Sequence, residues 1–114
     1  MKVNGIDASY YWVEDLGRAT AFYTSLFGAP PTTGYEGMFS EWVFADDNAF
    51  GLYKGEEFKK SDGVMFNVDD VAAAVTAAKA NGVMFEGKIE DTPACYMAFG
   101  RDTEGNGFIL HRRK

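Results

Sequence analysis

The sequence has little of what nucleophilic and metal chemistry most often use, since it contains one cysteine and one histidine. A single cysteine excludes a disulfide within the chain and is typical of a reducing compartment. No apolar run approaches the roughly 20 residues that cross a bilayer, and the first residues do not resemble a signal peptide. We therefore expect a cytoplasmic protein.

Basic residues are also scarce, with 11 lysines and arginines against 17 aspartates and glutamates, and the net charge is −6. Binding along a nucleic-acid backbone needs clustered positive charge, so we expect no nucleic-acid partner. A membrane partner is not expected either. The one basic run, residues 112–114, predicts a solvated tail.

Aromatic residues, by contrast, are plentiful at 16% of the chain, while 46% of all residues are hydrophobic. The hydrophobic fraction is typical of a globular domain, but the aromatic content exceeds what the core of 114 residues needs. Some of the rings are therefore expected to line a cavity or a subunit interface. A core that is simply rich in rings is the alternative.

Residues 7–28 predict a strand that is followed by an amphipathic helix. Residues 8–13 alternate with the period of a strand, and apolar residues then recur at helical spacing. Asp15 is placed to cap the start of the helix, and Gly28 can end it in the left-handed conformation.

The rest of the first half predicts a β-hairpin after a double-proline break. Residues 41–44 and 49–53 form its two arms, and Asp46-Asp47-Asn48 supplies the turn. Residues 55–62 are charged and irregular, which is typical of a linker or of a mobile loop over a site.

The second half repeats this order of a strand, an acidic cap, a helix and a glycine stop. At an offset of 55 residues, the matched pairs are Val13 with Val68, Asp15 with Asp70 and Ala19 with Ala74. Further strands are predicted at residues 83–85, 94–101 and 107–112. The pattern is β-α-β-β-β written twice, in one domain of residues 1–114 with modules at about 1–55 and 61–114.

Two stretches carry a resemblance to a known family, DLGRATAFYTSLFG in the first half and FGRDTEGNGFIL near the C-terminus. They resemble signatures of the vicinal oxygen chelate superfamily, which includes glyoxalase I, bleomycin-resistance proteins and extradiol dioxygenases. The resemblance implies an α+β fold of two tandem βαβββ modules, which form an open, curled mixed sheet around a cavity. It also implies a homodimer.

The same resemblance implies a divalent metal, which His, Gln and Glu side chains on four strands hold in the enzymes of the superfamily. The corresponding positions of this sequence are Ala8, Gly51, Gly63 and Ile109, and none of these binds a metal through its side chain. We therefore expect neither a metal nor another cofactor. A register slip of one residue would bring Asp7 to the first position, but it would reverse the faces of the strand.

Strand alternation predicts a ligand site on the faces that carry these positions. The predicted ligand-binding residues are Tyr10, Trp12, Phe39, Trp42, Tyr53, Met65, Asn67 and His111. Phe44 is expected to continue the wall that Phe39 and Trp42 form. An aromatic cleft suits a planar or cationic small molecule, and the resemblance to bleomycin-resistance proteins implies its metal-free binding or sequestration.

Two other functions stay open, and no catalytic residue is assigned. One is a metal-dependent lyase or dioxygenase whose ligands lie elsewhere, and the other is a protein-interaction module with a vestigial cavity. Cys95 and His111 could serve as nucleophile and base only with a third, orienting group, so a buried thiol is favoured. Residues 102–107 predict a hairpin turn and not a calcium loop.

Overall fold

The computed structural model describes residues 1–55 and 60–114, and the chain divides into two compact units at residues 59 and 60. We call these units the first and the second module. The predicted linker or loop at residues 55–62 lies partly outside the described residues, at 56–59. Among the described residues, no helix is long and apolar enough to cross a membrane.

The first module is a four-stranded mixed sheet with one helix. Its elements are β1 (Ala8–Val13), α1 (Leu16–Phe27), β2 (Thr33–Tyr35), β3 (Phe39–Val43) and β4 (Ala49–Lys54). The strand order is β1-β4-β3-β2, in which β1 and β4 are parallel and the other neighbours are antiparallel.

The second module repeats this arrangement. Its elements are β5 (Val64–Asn67), α2 (Val71–Ala80), β6 (Met84–Asp91), β7 (Cys95–Arg101) and β8 (Gly107–Arg113). The strand order is β5-β8-β7-β6, and the parallel pair is again the one that joins the first and last strands of the module. The predicted α+β class and the two tandem βαβββ modules are confirmed.

Both helices begin at the aspartates that the repeat predicts. A side-chain oxygen of Asp15 accepts the backbone N–H of Arg18 at 2.9 Å, and one of Asp70 accepts that of Ala73 at 3.0 Å. Each bond satisfies a backbone donor that the first helical turn leaves without a partner. Gly28 ends α1 with a φ of 70°, which is the left-handed conformation predicted for it.

The core of the first module is a cluster of rings between α1 and its sheet. Tyr11, Tyr23 and Phe50 are almost fully buried, and their rings meet edge-on or tilted at centroid distances of 5.0–5.2 Å. Trp42 joins them and donates its indole N–H to the carbonyl of Ala29 at 3.0 Å. The helix therefore contributes large side chains that pack against rings of the sheet.

The core of the second module is built differently, because α2 carries mainly alanine. The helix contributes small side chains to the core, and the larger ones, Phe66 and Phe108, come from the strands. The Phe108 ring lies against Gly100 on the neighbouring strand, where any Cβ would overlap it. The large ring of this core thus comes from β8 and packs on a glycine of β7, whereas in the first module α1 supplies large rings.

Both predicted turns are present as hairpin turns. In the first, Asp46 accepts the side-chain amide and the backbone N–H of Asn48, each at 3.1 Å, and these bonds lower the pKa of the Asp46 carboxyl. In the second, Asp102 Oδ1 accepts the backbone N–H groups of Glu104 and Asn106, both at 2.8 Å. The carboxylates hold turns, as short polar side chains commonly do.

In the second module, the bounds of one predicted strand are wrong, and the basic run is more ordered than expected. The strand expected at residues 83–85 continues as β6 to Asp91, through an irregularity in its pairing where Gly87 takes a φ of 67°. The basic run is exposed, as predicted, but it is also ordered, because residues 112 and 113 extend β8 and Lys114 forms an ion pair with Asp91. The Lys114 ammonium also lies 4.7 Å from the centre of the Tyr96 ring. The pairing partners of this run are too distant in sequence to be recognised from composition.

Candidate functional site

The sheet face of the first module that lies opposite α1 carries five aromatic side chains. Strand pairing sets Trp12 beside Tyr53, Tyr53 beside Phe39, and Phe39 beside Tyr35, so that one row of rings crosses all four strands. Tyr10 stands in the next row on β1. We call Tyr10, Trp12, Tyr35, Phe39 and Tyr53 the aromatic face.

The rings of the aromatic face contact one another in fixed geometries. Tyr53 stacks on Phe39 with a centroid distance of 5.2 Å and an interplanar angle of 16°. Tyr10 meets both Tyr53, at 5.1 Å, and Trp12, at 5.6 Å, in edge-to-face contacts. Both arrangements are favourable for aromatic pairs, so the cluster is a preorganised surface.

Three rings of the aromatic face are exposed to solvent. Tyr10, Trp12 and Tyr35 are 52%, 43% and 66% exposed, whereas Tyr11, between the first two, is 2% exposed. Large apolar groups that stay exposed together on one face mark an interaction site more often than scattered ones do. Tyr10 and Trp12 therefore share one face of β1, as strand alternation predicts, and their rings lie outside the core.

Two glycines let the rings of this face lie directly on the backbone. A Cβ at Gly55 would be 3.0 Å from Cε3 of Trp12, and one at Gly51 would be 3.3 Å from Cε2 of Tyr53. The Trp12 indole covers Gly55, and the Tyr53 ring leans over Gly51. Side chains at either glycine would displace the rings.

One carboxylate lies within the aromatic face. Glu41 on β3 is directly opposite Gly51, which in turn is opposite Tyr10, so Glu41 and Tyr10 flank the glycine. Glu41 is half-buried, and within residues 1–55 and 60–114 no ion pair engages it. Rings beside a carboxylate suit a planar cation, which gains from both.

A wide groove of about 1000 Å³ adjoins the aromatic face. It runs between the start of α1 and the β2–β3 hairpin, and Tyr35 and Phe39 belong to both the groove and the aromatic face. Charged residues such as Arg18 and Lys54 line its other parts. The groove therefore lies mainly on the α1 side of the sheet and borders the aromatic face at Tyr35 and Phe39.

The structure corrects the prediction for Trp42 and Phe44. Trp42 is 3% exposed and meets Phe27 at 5.3 Å, and Phe44 also contacts Phe27, at 5.6 Å, so both lie on the α1 side of the sheet. Trp42 comes three positions after Phe39 on one strand, and because this offset is odd the two side chains point to opposite faces. Trp42 and Phe44 pack with the helix and do not form a wall with Phe39.

The three predicted residues of the second module share the sheet face opposite α2. Asn67 is paired with His111, and Met65 with Ile109, on the parallel strands β5 and β8. Met65 is 51% exposed and His111 is half-buried. The structure thus groups Met65, Asn67 and His111 within one module, but their part in binding stays a prediction, as does a cavity that joins the two modules.

Cys95 and His111 lie on adjacent strands without being direct partners. Cys95 is opposite Arg113, whereas His111 is opposite Met97. The thiol is half-buried and not fully buried as expected, and its sulfur lies 3.4 Å from Oγ1 of Thr92. No third group orients a nucleophile and base here among the described residues.

The positions that hold a metal in the superfamily do not fit one in this chain. Ala8 and Gly51 occupy them in the first module and Gly63 and Ile109 in the second, and none offers a donor side chain. The described residues also contain no group of three or more His, Cys, Asp or Glu that could hold a metal. Asp7 does not replace Ala8, because β1 keeps the register in which Ala8 pairs with Ala49.

Sequence reasoning missed Tyr35 and Glu41. Strand β2 has only three residues and no apolar alternation, so nothing in the sequence marks Tyr35 as part of a sheet. Glu41 could have been found, because it is two residues from Phe39 on the same strand and must share its face.

A family model described as the Glyoxalase/Bleomycin resistance protein/Dioxygenase superfamily matches residues 5–110. No curated protein sequence matches the chain. Similar solved structures are numerous, and all three described next are less than 25% identical to the chain, so they show a shared fold.

An antibiotic binding protein, TnmS3 from Streptomyces sp. CB03234, superposes with a TM-score of 0.82 at 21% identity, over 100% of this chain and 99% of that one. A lactoylglutathione lyase from Agrobacterium tumefaciens gives 0.80 at 18% identity, over 97% and 95%. A glyoxalase / bleomycin resistance protein from Catenulispora acidiphila DSM 44928 gives 0.76 at 22% identity, over 94% and 97%.

Proposed function

Because the chain belongs to the glyoxalase/bleomycin resistance protein/dioxygenase superfamily, we propose that it binds and sequesters a planar small molecule on the aromatic face of its first module. The observation that carries the proposal is the exposure of preorganised rings. Tyr10 and Trp12 stay about half exposed although they contact Tyr53 and each other. Rings that only filled a core would be buried, as Tyr11 is.

A planar ligand would gain from this surface in two ways. Each aromatic contact contributes about 0.5–1.5 kcal/mol beyond the burial of its area. The rings are already fixed against one another and against Gly51 and Gly55, so binding orders few side chains. Such contacts favour ring systems over flexible aliphatic molecules.

A positive charge on the ligand would add to its affinity. The chain carries a net charge of −6, and Glu41 stands across Gly51 from Tyr10. A cation over an aromatic ring gains about 0.5–2 kcal/mol, depending on how far it is desolvated. The fold shared with an antibiotic binding protein supports sequestration of such a molecule, and the residues at the metal positions do not favour the lyase or dioxygenase alternative.

We also propose that the protein acts as a homodimer in the cytoplasm. The single cysteine supports a reducing compartment, and exposed apolar residues such as Val3, Ile6 and Met38 support self-association. Sedimentation equilibrium over a range of concentrations would give twice the mass of the chain. A monomer mass at all concentrations would contradict the dimer without affecting the ligand proposal.

The test uses two probes of one shape, N-methylacridinium, which is a planar cation, and acridine, which is neutral at mildly alkaline pH. Both should raise the melting temperature, by an amount that grows with the logarithm of their concentration above Kd, and the cation should bind more tightly by calorimetry. Trp12→Ala should weaken binding of both by about tenfold or more, because the largest ring of the aromatic face is lost.

The matched control is Tyr96→Ala, which removes a ring that is 40% exposed in the second module. Tyr96→Ala should leave both affinities unchanged. Equal losses in the two variants, or no binding of either probe to the natural sequence, would overturn the proposal.

A further inference from the structure

Soft metal-binding side chains gather on the face of the second module that lies opposite α2. On β7, Ala98 and Gly100 are buried on the helix side, which places Cys95 and Met97 on the other face. On β8, Leu110 is buried on the helix side, which places His111 with them. A thiol, a thioether and an imidazole therefore share one surface.

Strand pairing brings these three side chains within reach of a single ion. Met97 is directly opposite His111, and Cys95 lies two residues along β7, diagonal to His111. Directly opposed Cβ atoms are about 5 Å apart and diagonal ones about 7–8 Å, so the longer Met and His side chains can converge toward the thiol. Met65 lies on the opposite diagonal, beside Ile109 on β5, and is therefore too far from Cys95 to share an ion with it.

The three groups are available for binding. Cys95, Met97 and His111 are each half-buried. In the described part of the chain, no hydrogen bond or ion pair engages the His111 side chain. Thr92 Oγ1 donates its hydroxyl hydrogen to the Cys95 carbonyl at 3.1 Å and lies 3.4 Å from the Cys95 sulfur, so this contact leaves the sulfur's lone pairs free for an ion.

We propose that Cys95, Met97 and His111 bind a soft monovalent metal ion, Cu(I) or Ag(I). Thiolate and thioether sulfur select such ions, and imidazole accepts them too. Binding displaces the thiol proton to solvent, and the ion takes its place on the sulfur. Glu90 is the carboxylate nearest in register, across from Met97, so a hard divalent ion finds a single oxygen ligand.

This site is separate from the metal positions of the superfamily and from the aromatic face. It uses none of Ala8, Gly51, Gly63 and Ile109, and its cysteine and methionine stand on β7. Its chemistry therefore does not depend on the small-molecule proposal, and either proposal can fail alone.

The experiment titrates the reduced protein with Ag(I), and with Cu(I) in competition with bicinchoninate. We expect one ion per chain. Met97→Leu and His111→Asn should each weaken binding by about tenfold or more, since ligand loss costs at least as much as loss of a supporting contact. Met84→Leu is the matched control, because Met84 is 73% exposed in the same module but is paired with Arg101, away from the cluster.

A second readout follows the ε-methyl signals of the five methionines during the Ag(I) titration. The Met97 signal, assigned from Met97→Leu, should shift at one equivalent while the Met84 signal does not. The proposal is overturned if no ion binds, or if Cys95→Ser alone abolishes binding while Met97→Leu and His111→Asn bind as tightly as the natural sequence. The latter result would mean simple thiol binding.

Discussion

The two modules have the same βαβββ order and equivalent aspartate caps, yet they differ on both faces of their sheets. In the first, α1 inserts rings into the core and the opposite face is aromatic. In the second, α2 is mostly alanine, the strands supply the rings, and the opposite face carries methionine, histidine and cysteine. One fold thus holds two distinct surfaces, and the backbone pattern does not predict what either surface binds.

The difference in the cores has a physical cause. Tyr23 on α1 contacts Phe27, Trp42 and Phe50, so the loss of one ring leaves others in place. In the second module, Phe108 reaches Phe66 and Phe85 at 6.1 Å each and lies against Gly100. Packing in that module depends more heavily on a single ring.

The largest effect is therefore expected from Phe108→Ala. The change removes a side chain that is 1% exposed and should cost about 3–5 kcal/mol of unfolding free energy. Phe44→Ala, at a position that is 36% exposed, is the control and should cost less than about 1 kcal/mol. Urea denaturation measures both, and similar losses would show that the core of the second module does not depend on Phe108.

A smaller loss should follow from Gly100→Ala, because the added methyl group overlaps the Phe108 ring. Overpacking of this kind costs about 1–3 kcal/mol. Gly5→Ala, where nothing lies within 4 Å of the added Cβ, should be close to neutral. The double variant with Phe108→Leu should recover part of the loss, and strictly additive losses would show that the glycine and the ring are not coupled.

Loss of the helix cap should cost the two modules similar amounts of unfolding free energy. Asp15→Ala and Asp70→Ala each remove one hydrogen bond to a first-turn N–H, and each should cost about 0.5–2 kcal/mol. Asp69→Ala, next to the second cap, serves as the control and should leave the free energy of unfolding nearly unchanged. A large difference between the two cap variants would break the equivalence that the repeat predicts.

The smallest effect should come from Glu41→Gln on the aromatic face. The change keeps the size of the side chain and removes its charge. The binding free energy of N-methylacridinium should therefore weaken by about 0.5–1 kcal/mol, while that of acridine should not change. Isothermal calorimetry measures both. An equal change for the two probes would show that Glu41 acts through shape and not through charge.

Much of this architecture is readable from the sequence because it depends on local rules. Asp15 and Asp70 are predicted caps, and the alternation of Tyr10 and Trp12 with Tyr11 predicts which face of β1 packs on the helix. Trp42 and Phe44 were misplaced because their face depends on the parity of β3 and on the rings that α1 contributes. Tyr35 was missed because its strand is defined by its pairing with β3 and not by its own residues.

The central claim is that a ligand is held by the exposed rings of the first module and not within its core. Each tryptophan probes one of these two places. Trp12 is 43% exposed and belongs to the aromatic face, whereas Trp42 is 3% exposed in the core and its indole N–H donates a hydrogen bond to the Ala29 carbonyl. Their indole N–H signals can be followed by NMR during addition of N-methylacridinium, with Trp12→Phe used for assignment. The account predicts a progressive, saturable shift of the Trp12 signal with little change at Trp42. A saturable shift confined to Trp42, or thermal stabilisation without a change at Trp12, would contradict it.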